Sequence, residues 1–165
     1  MILALHRHAP GAPAGAPNTV VDAGAGLRWT LAEAAAPGAL LARAVELDPS
    51  TQWIMRHDRV AFEPGGIAHR HTHPGPGIRC LLYGRITIDS AGQVTTYGPG
   101  EPWFESGPEP VLATTSATEP SAFTRVLLLP AEWEGRRTIT YVDPADADKP
   151  KTQQATILLE QPVAT

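Results

Sequence analysis

Apolar residues along this chain come in short runs, many of them alternating with polar ones, and nearly every run stops at Gly, Pro, Asn, Asp or Ser. Alternation at a period of two marks a half-buried strand, and closely spaced turn residues mark its ends. Strands are predicted over 53–62, where Ile54, Val60 and Phe62 share one parity, and over 78–82, 85–89, 94–97, 111–115, 122–129, 138–142 and 155–159. Tyr83-Gly84 predicts a bend within a hairpin, and Ser90-Ala91-Gly92-Gln93 predicts a turn. Helix is scarce. Thr30-Leu31-Ala32-Glu33 has the spacing of a capping box, which predicts a short helix closed by Pro37-Gly38, while 39–47 reads as helix or as a first strand. Residues 1–26 read as a flexible arm, because Ala, Gly and Pro from Ala9 to Gly26 show no period, and 27–165 reads as one domain. So many short strands predict an all-β sandwich or small barrel.

A chain of 165 residues can bury a sizeable core. Its 15 glycines and 17 prolines reinforce the reading of short strands joined by tight turns. The net charge of −4, without a basic stripe, argues against nucleic acid and anionic membrane as partners. No run reaches the length of a transmembrane helix, and the opening apolar run is too short, with no basic residue ahead of it, for a secretory signal. Cytoplasm is the default compartment. Cys80 is the single cysteine and sits in an apolar run, so it reads as a buried, inert thiol. There is no nucleophile elbow, phosphate-cradling loop or zinc-knuckle cysteine pair.

The chemistry concentrates between Pro64-Gly65-Gly66 and Pro74-Gly75-Pro76-Gly77. His69, His71 and His73 recur at every second residue, which on a strand puts three imidazoles on one face. Neutral imidazole is the commonest metal ligand. At about 3.3 Å per residue, His71 and His73 lie roughly 6.5 Å apart and His69 and His73 roughly 13 Å, so the first pair forms the centre and His69 a more distant candidate ligand. Glu105 follows Trp103-Phe104; a carboxylate beside large aromatics either points outward or meets a cation inside. It is a candidate metal ligand or acid–base group.

These residues resemble the first motif of the cupin superfamily. Gly65 opens the motif, His71 and His73 fill its two histidine places, and Gly84 closes it, while its glutamate place falls on Gly77. In the second motif Gly100 matches, but Ser106, Pro108, Val111 and Thr115 stand where Pro, Gly, His and Asn are usual. The resemblance runs from about Arg59 to Pro130, and more narrowly is to small single-domain bacterial cupins with a His-Thr-His-Pro-Gly-Pro-Gly stretch and a later Trp-Phe-Glu. It implies a jelly-roll β-barrel, a homodimer, and a divalent iron, manganese, nickel or zinc held by two histidines, the glutamate and the later histidine. Two of those four places are retained. Arg79 shares parity with the vacant glutamate place; facing inward it would attract a carboxylate or phosphate group of a ligand, and facing outward it would pair with an acid such as Asp89.

Two functions remain open at this stage. One is a metal-dependent enzyme on a small organic substrate, with His71, His73 and Glu105 at the metal. The other is a non-catalytic cupin that binds or senses a small, anionic ligand through the histidines and Arg79.

Overall fold

The computed structural model describes residues 1–9 and 17–164. Strands hold 54% of the described residues and helical turns 5%, so the protein is all-β, as its alternation requires. The first four strands, β1 (Ile2–Arg7), β2 (Thr19–Asp22), β3 (Leu27–Ala32) and β4 (Leu41–Ala44), form an antiparallel sheet in the order β2-β3-β1-β4. The expected arm over 1–26 is therefore corrected: β1 is a central strand with Leu3, Ala4 and Leu5 fully buried, and Val20 of β2 is buried beside it. Residues 10–16 of that expected arm lie outside the described residues. Composition hid the sheet because four residues of β2 are too few to show a period; their turn is held by Asp22, whose carboxylate accepts the Ala25 N–H at 3.0 Å. The predicted helix at Thr30 is also absent. Leu31 pairs with Leu3 and is buried, and that packing overrides a local capping signal.

Eight strands follow: β5 (Trp53–Phe62), β6 (Ile67–Thr72), β7 (Gly77–Tyr83), β8 (Ile86–Ser90), β9 (Gln93–Tyr97), β10 (Pro102–Glu105), β11 (Val111–Thr115) and β12 (Ser121–Pro130). They lie in two antiparallel sheets, β10-β7-β12-β5 and β6-β11-β8-β9. Numbered one to eight, these are the orders 6-3-8-1 and 2-7-4-5, the two interlocked Greek keys of a jelly roll. Tyr83-Gly84 joins no hairpin, since β7 and β8 belong to opposite sheets. The residues form a corner, with Gly84 at φ +79° packed so closely on Pro120 and Ser121 that no side chain fits.

After β12 the chain adds β13 (Thr140–Tyr141) beside β6 and β14 (Gln153–Pro162) beside β5. The C-terminal extension thus covers an edge strand of its own barrel. Inside, Phe62, Leu81, Ile86, Trp103 and Phe123 form one core. A second core lies outside the β5-β12-β7 sheet, where Leu3, Leu5, Leu27 and Trp29 pack on Met55, Ile78, Cys80, Val126 and Leu128. Trp29 Nε1 donates to the Ile78 carbonyl at 3.1 Å and locks the two layers together. Burial there pushes the Cys80 thiol up to about 11, in keeping with an inert residue. Among the described residues no helix is long and apolar enough to cross a membrane.

Candidate functional site

The three histidines do not share a face. Along β6, Ala68 pairs with Ala113 but His71 with Val111, so β6 carries one residue more than β11 over this stretch. Such a bulge reverses the parity of the residues it spans. Ala68 and His71 point into the barrel, while His69 is turned out, partly exposed, with Nδ1 3.9 Å from an Asp146 carboxylate oxygen. His69 is thereby removed from the place expected for it.

His71 and His73 do converge. Their Nε2 atoms are 3.2 Å apart and their rings stand edge to face. His71 Nδ1 lies 2.7 Å from the His69 carbonyl and His73 Nδ1 3.0 Å from the Thr138 carbonyl. A carbonyl only accepts, so each Nδ1 carries the proton and, in a neutral ring, each Nε2 carries a lone pair. Burial holds His71 below the ordinary histidine range, and holds His73 well below it, with Arg125 and Arg79 pushing both the same way. Two neutral imidazoles therefore aim lone pairs at one point.

Glu105 faces inward as well. Its Oε1 accepts the Trp103 indole N–H at 2.8 Å, and its Oε2 lies 2.6 Å from Arg79 Nη2 and 3.8 Å from His73 Nε2. Arg79 is wholly buried and donates from Nη1 to the Gly77 carbonyl at 2.7 Å. Its 2.6 Å approach to Glu105 is an ion pair by distance but lacks hydrogen-bond alignment, and Nε has no acceptor at all. Burial lowers its guanidinium to about 10, so it stays charged at neutral pH. Gly77 is glycine for a reason: a Cβ there would stand 2.5 Å from the Val126 carbonyl and 3.0 Å from Arg79 Nη1. The guanidinium occupies the region a glutamate at 77 would use.

A cavity of about 40 Å³ lies against His71, His73 and Glu105, with Phe62, Trp103 and Phe123 on its apolar side. Arg79 stands behind Glu105 and is not among the residues that line it. The charge that does reach the cavity is Arg125, which the sequence reading missed. Asp58 takes its Nε at 2.5 Å and its Nη2 at 3.2 Å, leaving Nη1 3.5 Å from His73 Nε2. A signal existed, since an arginine inside the apolar run 122–129 is costly to bury unless paired. Asp58, Arg125, Arg79 and Trp103 lie in one row across four strands.

A separate buried cluster joins the two layers. His57 Nε2 lies 2.8 Å from Thr124 Oγ1, which donates to Asp22 at 3.0 Å, and the ring rests on Trp29.

The strand order defines an eight-stranded jelly-roll barrel with a His-x-His pair facing its interior, the architecture that the cupin resemblance implies. No protein-family model and no curated protein matches the sequence. Solved structures resemble it over about half its length. A Rhizobium leguminosarum protein of unknown function is 22% identical over 46% of this chain and 70% of its own, with a TM-score of 0.41. An RmlC-like cupin from Shewanella frigidimarina is 13% identical over 47% and 68%, at 0.43. The polyketide cyclase RemF from Streptomyces resistomycificus is 20% identical over 58% and 64%, at 0.42. Likeness of this degree leaves activity to be read from the site.

Proposed function

We propose that the protein binds a small organic molecule in the barrel and holds one divalent metal ion beside it through His71 and His73, with Glu105 as third donor. The observation that carries this reading is the 3.2 Å separation of two Nε2 atoms whose Nδ1 protons are committed to carbonyls. Facing lone pairs repel unless a cation lies between them. Two ligand atoms about 2.1 Å from one ion stand roughly 3 to 4 Å apart, and the 3.2 and 3.8 Å separations here suit that. The carbonyls fixing each ring are the usual outer support of histidine ligands. Among the described residues no three His, Cys, Asp or Glu side chains form a ready-made cage. The site is therefore a weak one in which Oε2 serves Arg79 and the ion together.

A bound ion of this kind polarises a ligand oxygen or activates a water. The chain's own contribution is to exclude water with Phe62, Trp103 and Phe123, and to offer Glu105 for moving a proton. A second reading, a metal-free binding protein, draws on Arg79 and Arg125, buried beside the histidine pair, which repel a divalent ion. Elemental analysis of protein purified without an affinity tag separates the two. Stoichiometric iron, manganese, nickel or zinc that disappears in His71→Ala/His73→Ala supports the first reading; a metal-free, ligand-binding protein supports the second.

A cytoplasmic homodimer goes with either reading. The outer edge of β14, where Leu158 is half exposed, is the place for a second copy, and a monomer by light scattering removes that expectation.

A further inference from the structure

Past Arg125, Ile139, Gln153 and Ala155, which line both, the inner cavity adjoins a second and larger one of about 360 Å³. Arg56, Arg125, Arg136, Arg137 and Lys151 line it, against a single carboxylate, Asp58. The chain as a whole has 13 Lys and Arg and 17 Asp and Glu. A random sample of its surface would favour acids, so this vestibule runs against the composition.

Two of the five cations are largely committed. Arg56 is held by Glu160 and by the carbonyls of Trp133 and Arg136. Arg125 gives Nε and Nη2 to Asp58, and keeps only the long Nη1 contact to His73. The other three have no carboxylate within 4.0 Å among the described residues. Arg137 donates to the Tyr141 hydroxyl at 2.8 Å and stacks over its ring; Lys151 sits over the same ring and donates to the Ala147 carbonyl at 2.7 Å and the Asp146 carbonyl at 3.2 Å. Tyr141 thus holds two like charges beside one aromatic ring, and the exposed Arg136 lines the same cavity. Like charges held together in a concavity repel, and an anion relieves that repulsion.

We propose that this vestibule is an anion-binding subsite, so that the ligand is a small organic anion. Its carboxylate or phosphate group sits with Arg136, Arg137 and Lys151, and its uncharged end enters the apolar cavity toward His71 and His73. Arginine forks and a lysine ammonium are the groups that recognise such oxygens. This rests on the small-molecule reading above and is independent of the metal.

Butyrate, butyl phosphate and the neutral butyramide are titrated calorimetrically into the full chain. At least one anion should bind about tenfold or more tightly than butyramide, as charge-assisted hydrogen bonds outweigh neutral ones, and which anion wins separates carboxylate from phosphate ligands. Arg136→Gln/Lys151→Gln should abolish that preference, and Arg137→Gln alone should reduce it. Arg43→Gln/Arg85→Gln, with the same change in charge at other exposed positions, should keep it. Metal content, read on each sample, should not follow these changes, so loss of the anion is distinct from loss of the ion. Anions no tighter than butyramide would overturn the proposal. So would a preference that survives the vestibule variant, or one lost only in His71→Ala/His73→Ala.

Discussion

Glu105 lies directly across the β10–β7 pairing from Gly77, so a carboxylate absent from position 77 returns to the same row of the sheet one strand away. Arg79 folds back over Gly77 and ties the two positions together. Writing glutamate back at 77 should therefore damage the protein. Gly77→Glu, and Gly77→Ala as the milder case, should cost at least about 1–3 kcal/mol through overpacking against backbone and Leu127. Urea unfolding measures this; unchanged stability with tighter metal binding would show that Arg79 can step aside.

The Arg79–Glu105 pair sets the cost of losing either partner. Glu105→Gln keeps an acceptor for Trp103 but strands a fully buried guanidinium, and should destabilise by about 3–5 kcal/mol, the range for a broken buried pair. Arg79→Met/Glu105→Gln should recover most of that loss. A glutamate on the barrel rim would cost no more than about half a kcal/mol, and that result in the single variant would contradict the buried geometry.

The bulge in β6 makes the histidines unequal. If metal is present in the parent, His69→Ala should leave its amount unchanged, because His69 faces Asp146 outside the barrel. Elemental analysis of the variant decides, and a loss equal to that in His71→Ala would mean the bulge is absent in solution.

Stability should rise with pH through the histidine range. His57 is held below 6.5, chiefly by burial and in spite of Asp22 and Asp58, so it folds neutral. The unfolded chain takes up its proton first as pH falls through 6.5, and stability is lost from there down to the lower folded value. His71 and His73 act in the same direction. Melting temperature should fall between pH 8 and pH 5, and His57→Gln should flatten that slope by removing one proton. An identical slope would place the uptake elsewhere.

Strand β1 gives the sharpest contrast with a flexible arm. Leu5 is fully buried among the residues joining the N-terminal sheet to the barrel, so Leu5→Ala should cost about 2–5 kcal/mol. A change within about half a kcal/mol, as at surface positions, would restore the arm. Chemical denaturation is the measurement.

Much of the fold was legible from local pattern. The long β5 and the β8–β9 hairpin, whose turn is Ala91-Gly92 at positive φ, follow from alternation and turn chemistry, which act over a few residues. The convergence of His71 and His73, two positions apart across the end of one strand, was legible for the same reason. The inward turn of Glu105 was one of two outcomes its aromatic neighbours allowed.

What the chain alone determined, then, was a β-rich fold with a histidine pair and a carboxylate poised near it, because side-chain period and turn residues are local properties. Only the tertiary structure decided that His69 faces out, since a bulge is a mismatch between two strands and neither strand shows it alone. It also decided that Leu3, Leu5 and Val20 are core, because their burial depends on Ile78, Cys80 and Val126, more than fifty residues away in sequence. The charges were settled in the same way. Asp58, Arg125 and Arg79 come from three strands and form one row, with Glu105 on a fourth strand facing Gly77 two positions along, and that arrangement exists only once the strands are laid side by side in register.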